Sequence, residues 1–179
     1  ATACWVLGGS LALKHGPAAW PALSRPARLV IGTLVLVAAW LAMAAARARG
    51  LNFILSAFCV VWMADIAAYF GGRAFGKHKL APAISPGKSW EGVWSGMLGV
   101  GLLAMLWIHF EDQVFGHAGS VFHLLKLQLG WAGLGLGVVF LCMLSVTGDL
   151  VESLAKRAVG AKDSSRLLPG HGGVLDRVD

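Results

Sequence analysis

Long apolar runs separated by short polar stretches are the main pattern of this chain. A membrane-spanning helix needs roughly 20 mostly apolar residues. Four stretches meet this requirement, near 29–46, 51–70, 93–110 and 129–148. A fifth apolar run near 1–13 predicts part of another span. The pattern therefore predicts an all-α, polytopic transmembrane protein that forms one membrane-embedded domain over residues 1–179.

Composition supports a membrane protein. Hydrophobic residues make up 57% of the chain and charged residues only 13%, whereas soluble domains carry about a quarter charged residues. The net charge of +6 is compatible with nucleic-acid binding. In a membrane chain, however, Lys and Arg more often mark cytoplasmic loops and phosphate contacts, so we expect a bilayer partner and no nucleic acid.

The cysteines and the chain ends carry little functional information. Cys4, Cys59 and Cys142 each lie in an apolar run without metal-ligand spacing, which predicts small buried hydrophobes. The chain begins at Ala1 without an initiator Met and stops after Asp179, so a fragment of a longer protein is expected.

The distribution of charge predicts a topology. Segments 71–92 and 149–179 are rich in Lys and Arg, whereas 111–123 carries Glu111 and Asp112 and neither Lys nor Arg. The positive-inside rule puts the two basic segments in the cytoplasm and 111–123 outside. Arg47 and Arg49 then fall outside, against the rule. The inference on which the site depends is that the two motif-bearing segments, 71–92 and 149–179, share one face.

Two groups of glycines lie inside the predicted spans. They are Gly96, Gly99 and Gly101, followed by Gly133, Gly135 and Gly137. Small residues at such spacing let helix backbones approach closely. Because nothing polar surrounds them, we predict helix packing and not a nucleotide-binding loop.

Asp65 and Asp149 are carboxylates at membrane depth. Counted from Leu51 and from Trp131, they lie about 21 Å and about 27 Å along their helices. A core of about 30 Å then places both toward the cytoplasmic boundary. A carboxylate there costs free energy unless it is paired, protonated or bound to a cation. For Asp65, an interhelical hydrogen bond or ion pair is the alternative interpretation. Asp149 has no cationic partner nearby in sequence.

If the helix continues past Asp149, then Glu152, Ser153 and Lys156 share its face. That face is acidic at its membrane end and basic further out. An ordinary Glu152–Lys156 pair at a helix end is the alternative interpretation.

The segment after Asp65 contains a partial phosphate-loop pattern. Gly71 to Lys77 spells G-x-x-x-x-G-K, but position 78 is His and no strand precedes it, so a P-loop is rejected. What remains is a basic Gly- and Pro-broken loop, suited to phosphate or serving topology only. Pro86 predicts a turn, after which Lys88 and Ser89 would lie near the start of the next helix, where phosphate is favoured.

The C-terminal tail combines carboxylates, cations and a Gly-Gly pair. Carboxylates suit Mg²⁺ beside substrate phosphates, and cations take the remaining phosphate charge. In a helix, Asp176 and Asp179 would face the same way. His171 is predicted to contact the ligand without binding the metal.

The stretch SLAKRAVGAKDSSRLLPGHGGVLDRVD resembles the signature segment of the phosphatidate cytidylyltransferase (CDP-diacylglycerol synthase) family. All anchors of that signature are present: Ser153, Lys156, Arg157, Lys162, Asp163, Pro169, His171, Gly172, Gly173, Asp176, Arg177 and Asp179. DIAAYFGGRAFGKHKLAPAISPGKSWEG is similar to the other cytoplasmic segment of the family. The resemblance covers roughly 60–179, and the family chain normally continues into a further hydrophobic helix.

The resemblance implies that CTP and phosphatidate react to give CDP-diacylglycerol and pyrophosphate in phospholipid biosynthesis. The enzyme would lie in the inner (plasma) membrane with its site on the cytoplasmic side. Mg²⁺ is the implied cofactor, with a second cation as a further candidate, and a homodimer remains open. A CTP-dependent lipid kinase, a cytidylyltransferase for another lipid phosphate and an ion-coupled transporter are the alternatives.

The roles that follow from the resemblance fall into three sets. Asp149 and Asp176 are assigned as metal ligands, with Asp65 and Asp179 as further candidates. The catalytic set adds Lys156 and Arg157 to Asp149 and Asp176. Contacts to phosphate or substrate are assigned to Arg73, Lys77, Lys88, Ser89, Ser153, Lys162, His171, Gly172, Gly173 and Arg177.

Overall fold

Four long helices carry the apolar runs and contain each of the four predicted spans. The computed structural model describes residues 2–17, 19–114 and 119–161. The elements in chain order are α1 (Thr2–His15), α2 (Ala19–Ala22), α3 (Arg25–Arg49), α4 (Leu51–Phe75), β1 (Lys79–Ala81), β2 (Ser85–Ser89), α5 (Trp90–Val114) and α6 (Val121–Ala158). Among these described residues, four helices are long and apolar enough to cross a membrane: α3, α4, Trp90–Phe110 of α5, and α6. The prediction of an all-α polytopic membrane protein is confirmed.

The closest helix packing joins α4 to α5 through small residues. A Cβ atom placed on Gly71 would overlap the side chain of Ser95, and one on Gly96 would lie 3.0 Å from the backbone oxygen of Ala64. Such close approach is possible only where a side chain is missing. The glycine prediction is confirmed here for Gly96, and these contacts fix the level of α4 against α5.

A glycine kink divides α6. Gly130 has φ 70° and ψ −171°, a backbone conformation that disfavours residues with a Cβ atom. The segment before the kink packs back onto the segment after it, since a Cβ on Gly137 would lie 2.8 Å from Leu125. The long membrane helix therefore starts at Trp131, the residue from which the depth of Asp149 was measured.

The main core lies among α4, α5 and α6. Its buried members are Val60, Ala64, Val100, Ala104, Phe122, Leu134, Val138 and Cys142. Cys142 is therefore a small buried hydrophobe, as predicted, while Cys59 is half-buried. The side chain of Cys4 lies outside the described residues.

Buried polar side chains close the bundle at the end opposite the antiparallel hairpin that β1 and β2 form. Trp107 Nε1 donates to Asn52 Oδ1 at 2.9 Å, and the backbone N–H of Val121 donates to Ser56 Oγ at 3.0 Å. Both acceptors are almost fully buried, and buried polar groups in a membrane protein need internal partners. These bonds join the start of α4 to the end of α5 and the start of α6, so α5 runs antiparallel to its neighbours.

The end of α3 lies at this same end of the bundle. The chain passes from α3 to α4 through Gly50, and the Arg49 guanidinium lies 5.1 Å from the centre of the Phe53 ring. Arg47 and Arg49 are therefore at the end opposite the hairpin, as the topology prediction required. Segment 71–92 and the described part of segment 149–179, residues 149–161, share the other end, since Ile84 packs on Leu150 and Leu154.

Candidate functional site

The basic segment after α4 forms a β-hairpin. β1 and β2 pair antiparallel, with Lys79 opposite Ser89 and Ala81 opposite Ser85. The turn is closed by the N–H of Ile84, which donates to the carbonyl of Ala81 at 3.1 Å. The predicted turn at Pro86 is therefore wrong, because Pro86 lies within β2. A two-stranded sheet consists only of edge strands, where the missing N–H of proline is tolerated.

A small apolar cluster holds the hairpin against α6. Ile84 is 6% exposed and packs with Leu150 and Leu154 of α6, while Leu13 and Trp20 cover the cluster from the N-terminal helices. Ile84 is the buried anchor of the hairpin, and Leu80 and Ala81 of β1 pack beside it as partly buried neighbours. The sequence analysis missed this residue, although two large aliphatic side chains in a basic loop, Leu80 and Ile84, were the available signal.

Replacing Ile84 by Ala is expected to loosen the hairpin. Removal of a buried aliphatic side chain costs about 2 kcal/mol or more, and here it weakens the attachment of residues 79–89 to α6. Hydrogen–deuterium exchange of these backbone amides is expected to rise. Ile31→Ala on α3, where the side chain is exposed, is the matched control and should leave the exchange unchanged. Equal exchange in both variants would contradict an anchoring role.

The base of the hairpin is braced by His78 and Glu91. His78 Nδ1 lies 2.7 Å from Glu91 Oε1, and the His78 backbone N–H donates to both carboxylate oxygens at 3.2 Å. The N–H of Trp90 donates to the carbonyl of His78 at 3.0 Å. The sequence analysis treated position 78 only as the break in the phosphate-loop pattern. Glu91, the one acidic residue of segment 71–92, indicated that a partner would be needed.

Ser89 caps the start of α5. Its side chain is 4% exposed, and its Oγ accepts from the backbone N–H of Gly92 at 3.2 Å. Such a cap satisfies one of the free N–H groups in the first turn. Lys88 and Ser89 do lie at the start of the next helix, as predicted. The role of Ser89 as a phosphate contact stays a prediction.

An ion pair between Lys88 and Asp149 joins the hairpin to α6. Lys88 Nζ pairs with Asp149 Oδ2, and the two side chains are 23% and 38% exposed. The other carboxylate oxygen of Asp149 accepts from Ser153 Oγ at 3.3 Å. Asp149 thus has the cationic partner that its sequence neighbours could not supply.

The last turns of α6 present alternating charge beside this pair. Glu152 and Lys156 form an i,i+4 ion pair at 2.9 Å, and Arg157 Nε donates to the carbonyl of Ile84 at 3.5 Å. The predicted continuation of the helix past Asp149 is confirmed, as is the face that Asp149, Ser153 and Lys156 share. Arg157 also ties α6 to the tip of the hairpin.

The remaining described candidates lie on α4 or just after it. Arg73 is exposed in the last turn, where Nη1 donates to the hydroxyl of Tyr69 at 3.4 Å, and Lys77 is exposed between α4 and β1. Asp65 is exposed on α4, about 10 Å along the helix from Gly72 in its last turn and therefore deeper in the bundle than Arg73. The structure brings Arg73 and Lys77 to the hairpin end of the bundle.

The rest of the predicted set lies outside the described residues. This applies to Lys162, His171, Gly172, Gly173, Asp176, Arg177 and Asp179. Within residues 2–17, 19–114 and 119–161, no three His, Cys, Asp or Glu side chains are grouped closely enough to hold a metal ion. Asp149 and the adjacent Ser153 hydroxyl offer the oxygen ligands that Mg²⁺ prefers. The chemistry of this part fits the ion, and the complete ligand set stays a prediction.

The described part of the site suits a polyanionic ligand at a membrane boundary. Lys88 pairs with Asp149, and Lys156 and Arg157 follow on the last turns of α6, where they contact Glu152 and the carbonyl of Ile84. Cations of this kind bind phosphate oxygens by charge-assisted hydrogen bonds. The apolar helices below would accommodate a lipid beside the polar site.

Comparisons with known proteins agree with this chemistry. The model of the cytidylyltransferase family matches residues 4–179, so the similarity extends beyond the quoted motifs into the N-terminal helices. A Haemophilus influenzae protein named phosphatidate cytidylyltransferase is 48% identical over 131 residues, 73% of this chain and 42% of the relative. A Pseudomonas aeruginosa protein of the same name is 44% identical over 179 residues, which are 98% of this chain and 60% of the relative. A Brucella suis protein of that name is 46% identical over 130 residues, which are 73% of this chain and 43% of the relative. The chain therefore spans roughly half the length of these relatives.

Proposed function

Because the chain belongs to the cytidylyltransferase family, we propose that the full-length protein transfers the cytidylyl group of CTP to phosphatidate. The products are CDP-diacylglycerol and pyrophosphate. The observation that carries this proposal is the Lys88–Asp149 pair, held between a basic hairpin and a membrane helix where the apolar bundle ends. One substrate is a soluble polyanion and the other is a lipid with a phosphate head, so their reaction requires a basic site at such a boundary.

The proposed reaction is an in-line displacement at phosphorus. A phosphate oxygen of phosphatidate forms a bond to the α-phosphorus of CTP, the bond from that phosphorus to the bridging oxygen breaks, and pyrophosphate leaves. Phosphoryl chemistry of this kind depends on alignment and charge stabilisation more than on a covalent nucleophile. A bound Mg²⁺ supplies neutralisation of the triphosphate charge.

The residues of this chain take distinct parts in the proposal. Asp149 holds the cation together with Asp176, and Ser153 orients the Asp149 carboxylate through its hydrogen bond. Lys88, Lys156 and Arg157 bind phosphate oxygens. Further contacts to phosphate are proposed for Arg73, Lys77, Lys162 and Arg177.

We also propose that the hairpin end of the bundle faces the cytoplasm, in the inner membrane. The hairpin segment 71–92 carries four Lys or Arg residues against one Glu, which is the balance that the positive-inside rule gives to cytoplasmic loops. CTP is a nucleoside triphosphate of the cytoplasm, so the same orientation gives the site access to it.

The direct test is an assay of the purified full-length protein with CTP and phosphatidate. We expect pyrophosphate and CDP-diacylglycerol in equal amounts, no turnover with EDTA, and recovery on addition of MgCl₂. Formation of CDP in place of pyrophosphate would identify a lipid kinase instead. A protein that inserts correctly but consumes no CTP would contradict the proposed function, and flux of an ion without nucleotide turnover would indicate a transporter.

A further inference from the structure

A groove between α5 and α6 lies apart from the polar site. Its volume is about 430 Å³, with Trp94 on α5 and Trp131 on α6 among its lining residues. Gly101 and Gly135 also line it, and no described atom lies within 4 Å of a Cβ built on either glycine. These two glycines therefore keep space open between the helices, which corrects the prediction that all six membrane glycines serve helix packing.

The groove lines up with the ion pair along α6. Successive residues of an α-helix are about 100° apart, so Trp131, Gly135, Val138 and Asp149 lie within about 40° of one line along the helix. The face of α6 that lines the groove therefore leads to the carboxylate that pairs with Lys88. The distance from Val138 to Asp149 is about 16 Å along the axis.

On α5 the groove begins close to the hairpin. Trp94 is one turn after Trp90, the first residue of the helix, and β2 with Lys88 immediately precedes it. Further along, Leu98, Gly101 and Met105 continue the lining at helical spacing. The α5 wall of the groove thus starts close to the hairpin, whereas the α6 wall begins at Val139 and runs away from Asp149 toward Trp131.

We propose that this groove holds one acyl chain of the lipid substrate while its phosphate lies at the Lys88–Asp149 end. The inference rests on the proposed function. Apart from the indole N–H groups, the side chains that line the groove are aliphatic, aromatic or thioether groups, and the volume is in the range of small-ligand pockets. Lys88 supplies the positive charge that the phosphate of the same molecule requires.

An acyl chain fits these dimensions better than another membrane helix. A helix with its side chains is about 10–12 Å across, so one that crosses the membrane needs far more room than the groove's volume of about 430 Å³. Lipid tails are as apolar as the groove itself, so the gain is in position and not in affinity. The groove would align long-chain substrates for attack and favour them over short ones.

Filling the groove is expected to change the acyl-chain preference. Gly101→Leu and Gly135→Leu each place a side chain in the open space, and leucine favours helix by up to about 1 kcal/mol relative to glycine. In the full-length enzyme we expect kcat/KM for dipalmitoyl phosphatidate to fall at least tenfold. Gly135 lies about 21 Å along α6 from Asp149, so dihexanoyl phosphatidate, whose chains are too short to reach that level, is expected to keep its value.

Gly32→Leu on α3 is the matched control, since a Cβ there also meets no described atom within 4 Å. It should leave kcat/KM for both substrates unchanged. An unchanged chain-length profile in both groove variants would overturn the proposal. An equal fall for long and short chains would also overturn it, and a changed oligomeric state in native mass spectrometry would then identify the groove as a surface between copies.

A labelling experiment separates failure of the groove from failure of the proposed function. Phosphatidate with a diazirine near the end of one acyl chain is photolysed with the wild-type full-length protein, and adducts are mapped by mass spectrometry. We expect adducts on Met97 and Met105, which line the groove, and their loss in Gly135→Leu. If an active enzyme is labelled elsewhere, the proposal that the groove holds an acyl chain is contradicted, whereas the proposed function is not. Adducts at these methionines in a protein that consumes no CTP contradict the proposed reaction but support the lipid site.

Discussion

Replacing Asp149 by Asn is expected to reduce CTP consumption at least 100-fold in the full-length enzyme. The amide keeps the size of the side chain and can still accept the hydrogen bond from Ser153, but it has no charge to hold a divalent cation or Lys88. Loss of one preorganised electrostatic group costs about 10²–10³ in kcat. Pyrophosphate release at saturating CTP and phosphatidate measures the effect, and membrane extraction followed by size-exclusion chromatography checks insertion and folding.

Removal of a lysine charge at two positions, Lys88 and Lys126, gives a test variant and its matched control. Lys88→Met removes the ion-pair partner and is expected to lower turnover. Lys126→Met removes a cation that lies over the Trp131 ring, in the segment before the kink of α6, and should leave turnover unchanged.

The double variant Lys88→Met/Asp149→Asn decides what Asp149 does. If the Asp149 carboxylate only neutralised Lys88, the harm in Asp149→Asn would come from an unpaired, half-buried lysine, and the double variant would regain the turnover of Lys88→Met. A carboxylate that binds the cation cannot be replaced in this way, so we expect the double variant to stay as inactive as Asp149→Asn. Wild-type turnover by Asp149→Asn would remove this residue from the site.

The sequence predicted the helices well because their boundaries coincide with backbone features that glycine alone favours. Gly50 with φ 111° precedes Leu51, and Gly130 with φ 70° precedes Trp131. Leu51 and Trp131 are the residues from which the depths of Asp65 and Asp149 were counted. Each boundary therefore carried a local signal, a glycine at the edge of an apolar run.

The partner of Asp149 could not be predicted, because Lys88 lies 61 positions earlier in the chain. The contact depends on how the hairpin is seated, and Ile84 seats it in an apolar cluster that also includes Leu13 and Trp20. That cluster combines four elements of the chain. No local pattern encodes such an arrangement.

The glycines illustrate the same limit at single-residue scale. Gly96 and Gly101 look alike in sequence, but five residues turn the helix by about 140°. Gly96 consequently faces α4, whereas Gly101 faces the open groove. Composition identified the small residues, and only the orientation of the helices decided which of them pack and which leave space.

Gly71→Ala is expected to destabilise the protein strongly, because the new methyl group would overlap the side chain of Ser95 on α5. Overpacking costs 1–3 kcal/mol in ordinary cores, and a Cβ atom fixed to a helix backbone cannot rotate away. We therefore expect a loss of about 3 kcal/mol, visible as a lower melting temperature in detergent. Gly8→Ala is the control, since no described atom lies within 4 Å of a Cβ at that position.

A compensating change tests whether this contact alone is responsible. Ser95→Gly removes both atoms that the methyl group would overlap, and the next atom, the Glu91 backbone oxygen, lies 3.7 Å away. Gly71→Ala/Ser95→Gly should therefore recover most of the lost melting temperature, and a double variant no more stable than Gly71→Ala would contradict the packing. Because α5 starts at the hairpin that carries Lys88, any shift between α4 and α5 also displaces the ion pair. Turnover should therefore fall with stability in Gly71→Ala and return with it in the double variant.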